Sequence, residues 1–88
     1  MSHHVEIEHR AQQSLVRLAR ADRAIVRRID AALLGLAENP RPSGAIKMTG
    51  SDGWRLRVGD YRVIYKVADA VQVVSVERIG HRRDIYER

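Results

Sequence analysis

The stretch Trp54-Arg55-Leu56-Arg57-Val58-Gly59-Asp60-Tyr61-Arg62-Val63-Ile64-Tyr65-Lys66-Val67 decides the fold. Apolar and charged residues alternate on both sides of Gly59-Asp60, the period of two that marks half-buried strands. Gly59-Asp60 suits a two-residue hairpin turn. With that turn, Val58 pairs with Tyr61, Arg57 with Arg62, Leu56 with Val63 and Arg55 with Ile64. Opposed residues share a face. Trp54, Leu56, Val58, Tyr61, Val63 and Tyr65 then form a core face. Arg55, Arg57, Arg62 and Lys66 gather on the other. Like charges across a ladder destabilise it, by ~0.7 kcal/mol per pair at ~6 Å in water and ~3 kcal/mol at an effective dielectric of 20. Folding alone gives no reason for Arg57 opposite Arg62, whereas a polyanion turns the repulsion into attraction. The alternative is a solvated face whose side chains splay apart, with Asp52 and Glu77 as counter-charges.

Working outward, Val71–Val76 reads as a third strand. Its valines leave the inward face open and admit a bulge. The segment from Gly80 to Arg88 reads as a polar tail. Toward the N-terminus, His4-Val5-Glu6-Ile7-Glu8 alternates like a strand. From Arg10 the period lengthens, with Ala11, Leu15, Leu18 and Ala19 on one helical face. Asp22 is suited to cap a second helix, whose apolar stripe is Ile25, Ile29, Ala32, Leu33 and Leu36. Arg23, Arg27, Arg28 and Asp30 lie away from it. Pro40 ends that helix near Asn39. Asn39–Gly53 reads as a loop, with Ala45–Met48 a candidate short strand. The expectation is an α+β fold: two N-terminal helices on one face of a small, mainly antiparallel four-stranded sheet, in the order β-α-α-β-β-β.

At 88 residues the chain is expected to form one domain spanning 1–88. With 44% apolar and 31% charged residues it is globular in composition. It has no cysteine, which excludes disulfide scaffolds, thiolate catalysis and cysteine-ligated zinc, and points to a reducing cytoplasm. No apolar run is long enough to span a bilayer. No apolar signal region follows Met1, so secretion is not expected. Sixteen Lys and Arg face eleven Asp and Glu, a net +5, and fourteen of the cations are arginine. Arginine is permanently charged and grips phosphate with a planar fork, so a polyanion, nucleic acid first, is the indicated partner class. His3, His4 and His9 have no Cys or acidic partner at ligand spacing, so no metal or cofactor is expected.

Three motifs in order resemble the RelE/ParE superfamily of bacterial toxins. They are Lys47-Met48-x-Gly50, the Tyr61-Arg62-Val63-x-Tyr65 strand, and Gly80-His81-Arg82-x-x-x-Tyr86. With the strand–helix–helix–meander order, the resemblance covers nearly the whole chain. It implies a RelE-like fold and a toxin neutralised by an antitoxin encoded alongside, with operator DNA bound only through the antitoxin complex. RelE-type members are ribosome-dependent endoribonucleases that cut mRNA in the vacant A site. ParE-like members instead poison DNA gyrase and generally lack the arginine/tyrosine set; a silent antitoxin-binding homologue is a third reading. Residue by residue, the resemblance implies that Arg62 contacts the scissile phosphate, Arg82 is catalytic and Tyr86 stacks on a base. Arg55 and Arg57 stand where RelE has two catalytic lysines. Lys47, Lys66 and Arg83 are the further expected RNA-binding residues.

Metal-free RNA cleavage uses the 2′-OH as nucleophile and needs a base, an acid and stabilisation of a phosphorane-like state. Arg55, Arg57, Arg62 and Arg82 are stabilisers. His81 is the one nearby group that ordinarily titrates near neutrality, and is the candidate base, with Tyr86 as stacking and hydrogen-bonding partner. Two alternatives stand beside these roles: a tail histidine in a local hydrogen bond, and a tyrosine folded back over the core edge. The expected products are a 2′,3′-cyclic phosphate and a 5′-hydroxyl.

Overall fold

A computed structural model describes residues 2–85. The elements are β1 (His4–Ile7), α1 (His9–Ala21), α2 (Arg23–Glu38), β2 (Ile46–Lys47), β3 (Trp54–Val58), β4 (Tyr61–Ala68) and β5 (Val73–His81). The strands form one sheet in the order β1-β5-β4-β3-β2. All neighbours are antiparallel except β1 and β5. The sheet has five strands rather than the expected four, because Ile46 and Lys47 pair with Arg55 and Trp54.

A single residue separates the helices. Asp22 is extended (φ −153°, ψ 92°), which stops α1; its carboxylate accepts the Ile25 N–H at 3.1 Å and so starts α2. Side-chain caps of this kind contribute ~1 kcal/mol. Asn39, also extended, ends α2 ahead of Pro40. Between these ends, Ile25, Ile29, Leu33 and Leu36 are buried at helical spacing, together with Ala11 of α1. They pack on Leu56, Val58, Val63, Tyr65, Val74, Val76 and Ile79. Each large apolar side chain fully buried here contributes ~1.5–3 kcal/mol.

The hairpin register agrees with the sequence reading: Trp54 opposite Tyr65, Arg55 opposite Ile64, Leu56 opposite Val63, Arg57 opposite Arg62 and Val58 opposite Tyr61. Gly59 sits at φ +58°, a backbone that favours glycine and lets the turn close in two residues.

The third strand differs. It begins at Val73, since Val71 and Gln72 lie in the turn, with Gln72 at φ +56° and Val71 68% exposed. It also runs on to His81. Ile64 pairs with Arg78 but Tyr65 with Val76, which leaves Glu77 as an extra residue. That bulge re-phases the strand. Val74, Val76 and Ile79 all reach the core although the spacing between the last two is three.

Candidate functional site

The hairpin carries the cationic face, and its turn organises it. Arg62 Nη1 donates to the Gly59 carbonyl at 3.1 Å and to its own strand's Tyr61 carbonyl at 2.9 Å. The Arg82 amide donates to the Asp60 carbonyl at 2.8 Å, and its Nε lies 3.6 Å from the Asp60 carboxylate. Two carbonyls and a carboxylate of one tight turn thus hold two guanidinium-bearing residues, one from β4 and one from the turn after β5.

Around them lies a cleft of about 550 Å³ lined by Gly44, Ile46, Arg55, Arg57, Arg62, Arg82 and Arg83. The arginines come from β3, β4 and the turn after β5. Gly80 stands opposite Arg62 on the same row, and Ile85 occupies the space that a side chain there would fill. Ile85 fixes the rest. It is 3% exposed, and its Cδ1 lies 3.2 Å from where a Gly80 Cβ would stand. The turn that carries Arg82 and Arg83 is thereby folded onto the sheet. The Asp84 and Ile85 amides both donate to the His81 carbonyl at 2.9 Å.

Not every expected site residue joins this cleft. Arg55, Arg57, Arg62, Arg82 and Arg83 do. Lys66 does not: its Nζ lies 3.4 Å from Glu77 and 3.6 Å from Asp52, the two carboxylates anticipated as counter-charges. Both raise its pKa, with the hydrogen bond to Glu77 the larger cause. Lys47 donates to the Ser51 carbonyl at 2.6 Å. Both lysines are engaged within the chain, while the arginines ring the cleft.

His81 is on the opposite side. It pairs with Tyr61, and the two rings meet edge-on at 5.4 Å and 84°. Its Nδ1 accepts the Arg83 amide at 3.2 Å. This is the local hydrogen bond of the alternative reading, and the imidazole does not line the five-arginine cleft. β5 ends at His81, and the turn that follows carries Arg82 and Arg83 into that cleft. Tyr86 lies outside the described residues.

The sequence reading missed two features. Asp60 has a role beyond the turn, which its place beside a φ-positive glycine did not signal. Arg10, Arg17 and Arg78 join Tyr61 and His81 around a second cleft of about 470 Å³ between α1 and the end of β5. Reading β5 through to His81 would have exposed that cleft; the polar, glycine-containing composition after Ile79 concealed it.

A family model described as the ParE toxin of the type II toxin–antitoxin system parDE matches residues 5–86. This chain belongs to the ParE toxin family. The toxin's fold also matches solved structures. The archaeal RelE–RelB complex of Pyrococcus horikoshii OT3 is 29% identical, with a TM-score of 0.78, covering 96% of this chain and 99% of that one. The Escherichia coli RelBE toxin–antitoxin complex is 25% identical, with a TM-score of 0.75, covering 91% and 96%. The YoeB/ParE toxin of Agrobacterium tumefaciens, at 17% identity, TM-score 0.79 and coverage of 89% and 96%, shares the fold. No curated protein matches the sequence. The toxin is a member of the RelE/ParE superfamily and has the RelE-like architecture.

Proposed function

We propose that this toxin acts on RNA in the cytoplasm. Released from its antitoxin, it enters the vacant A site of a translating ribosome and cleaves the mRNA there without metal. One observation supports this above others: five arginines from three separate segments converge on one cleft. A phosphodiester in that cleft meets several guanidinium forks, which hold it and favour the extra charge of a pentavalent state.

The chemistry is internal to the RNA. The 2′-oxygen forms a bond to phosphorus, the bond to the 5′-oxygen breaks, and a proton passes from the first oxygen to an acceptor while another reaches the second. Arginine stays protonated and does not serve as the acceptor. Tyr86 is the residue proposed to stack on a base and assist the proton transfer. The antitoxin is proposed to be encoded alongside, as RelB is the partner in the Pyrococcus and E. coli complexes, and to carry any binding to operator DNA.

The second reading is a toxin that stops DNA gyrase without cutting RNA. The parDE description favours it, as does a cleft whose ionisable lining, among the described residues, is entirely arginine. Induced expression separates the two. On the RNA reading, mapped transcripts show cuts inside in-frame codons, with 5′-hydroxyl ends, only when translation is running. Intact transcripts with relaxed plasmid accumulating support the gyrase reading and overturn the first.

A further inference from the structure

We propose that the second cleft, between α1 and the end of β5, is a nucleotide subsite for the same RNA strand, holding a base and two phosphates beyond the three nucleotides seated at the five-arginine cleft. The proposal rests on the RNA reading above and extends it across the hairpin.

The two clefts are back to back. Tyr61 lines one and Arg62 the other; His81 lines one and Arg82 the other. Alternation along β4 divides Tyr61 from Arg62; β5 ends at His81, and the turn that follows carries Arg82 into the other cleft. Sequence neighbours form the seam between them. Arg62 Nη1 bonds the Gly59 carbonyl there, and the Asp60 carboxylate beside Arg82 Nε is the counter-charge at that seam.

The second cleft combines an apolar floor, aromatic rings and arginines, with Asp84 the one carboxylate on its lining among the described residues. Its floor includes Leu18 and Ile79, and the edge-on rings of Tyr61 and His81 offer an aromatic wall for a base. Base–aromatic contacts are sequence-tolerant and suit single strands. Arg10 and Arg17 stand on its rim, exposed, two helical turns and so ~10.5 Å apart along the axis. Helix α1 contains no Asp or Glu from His9 to Ala21. A helix surface shaped only for folding gains from oppositely charged i,i+4 pairs, and α1 has none within it. Among the described residues, neither Arg10 nor Arg17 makes an ion pair.

The test uses the full chain with uncleavable 2′-O-methyl oligouridines, read by fluorescence anisotropy over a salt series. In the double variant Arg10→Gln/Arg17→Gln, octanucleotide affinity falls roughly tenfold and the log–log salt slope shrinks by about 1.4, two contacts at ~0.7 each. Trinucleotide affinity, set by the first cleft, does not change. Unaltered octanucleotide binding overturns the proposal, and so does an equal loss for both lengths. A decaglutamate peptide that alone loses affinity in the double variant assigns the cleft to an acidic protein partner and also overturns it. Arg62→Gln, tested in parallel, lowers affinity for both oligonucleotides; if neither responds to it, the RNA reading of the first cleft fails separately.

Discussion

The backbone of Arg82 is tied to Asp60 by a 2.8 Å hydrogen bond, and its guanidinium stands 3.6 Å from the carboxylate of the same residue. The hairpin turn therefore both locates Arg82 and offers it an internal anion. In Asp60→Asn the backbone tie persists and the competing charge is gone. Oligouridine affinity rises by up to about fivefold, the ~1 kcal/mol ceiling of an exposed ion pair. Anisotropy titration checks this. A fall in affinity instead shows that the carboxylate aims Arg82 rather than competing for it.

Arg62→Ala removes a guanidinium that stands opposite Arg57. Growth inhibition on induction is lost, while antitoxin binding and thermal stability stay near those of the parent. Losing the bonds to the turn carbonyls is offset by relief of the repulsion between Arg57 and Arg62. Undiminished toxicity removes Arg62 from the site.

Binding of single-stranded RNA weakens steeply with salt, with a log–log slope of about −3 for four phosphate contacts. Lys66→Gln leaves that slope unchanged, because Lys66 is already matched by Glu77 and Asp52. A shallower slope in this variant returns Lys66 to the RNA-binding set.

Ile85→Ala releases the turn that carries Arg82 and Arg83. It destabilises the fold by about 2 kcal/mol, the low end for an isoleucine cavity because the site lies at the sheet's margin. RNA affinity falls with it. Chemical denaturation and titration on the same preparation measure both; lost stability with unaltered affinity shows that the arginines are positioned without Ile85.

Tyr65 makes the fold sensitive to alkali. Its hydroxyl donates to the Pro40 carbonyl at 2.7 Å. Burial pushes its pKa up to about 12, partly opposed by the positive charge of Arg41. The neutral phenol is the folded form, so its contribution is complete below pH ~10, where the unfolded tyrosine begins to ionise. That contribution, about 2 kcal/mol, is lost as pH rises toward 12. In Tyr65→Phe the loss of stability between these pH values is absent.

Asp69 acts in the opposite direction. The Arg41 guanidinium hydrogen-bonds it at 2.7 Å and 3.3 Å, and His3 Nε2 lies 3.2 Å away. These partners, Arg41 first, lower its pKa. The carboxylate's contribution is present above its unfolded pKa, near 4, and is lost as pH falls through the lower folded value. Asp69→Asn flattens the acid limb of the stability curve in denaturant melts over pH 2–5.

Much of this was legible in the residues. The alternation from Trp54 to Val67 fixes the hairpin register, since a slip by one position would turn Leu56 and Val63 to solvent. Asp22 and Pro40 delimit α2 through backbone effects that need no tertiary context. What escaped is what depends on a long-range partner. A single strand's pattern does not show that Glu77 is skipped opposite Ile64 and Tyr65, and without that bulge neither β5's length nor its parity can be read. Proximity in sequence groups His81 with Arg82 and Arg83, but the strand ends at His81 and the turn after it carries the two arginines to another cleft. The arginines of the cleft were legible because their period matched the hairpin; Arg10 and Arg17 were not, because an exposed helical arginine has many uses.

The parallel pairing of β1 with β5 has a consequence for biosynthesis. His4–Ile7 is translated well before its partner, Val73–Val76, since two helices and three strands lie between them. The same late strand leads directly into Arg82 and Arg83. Contacts so distant in sequence form late, after the loop between them has closed. The arginine cleft therefore assembles only after β5 has been made and has docked, as one of the last parts of this domain to form.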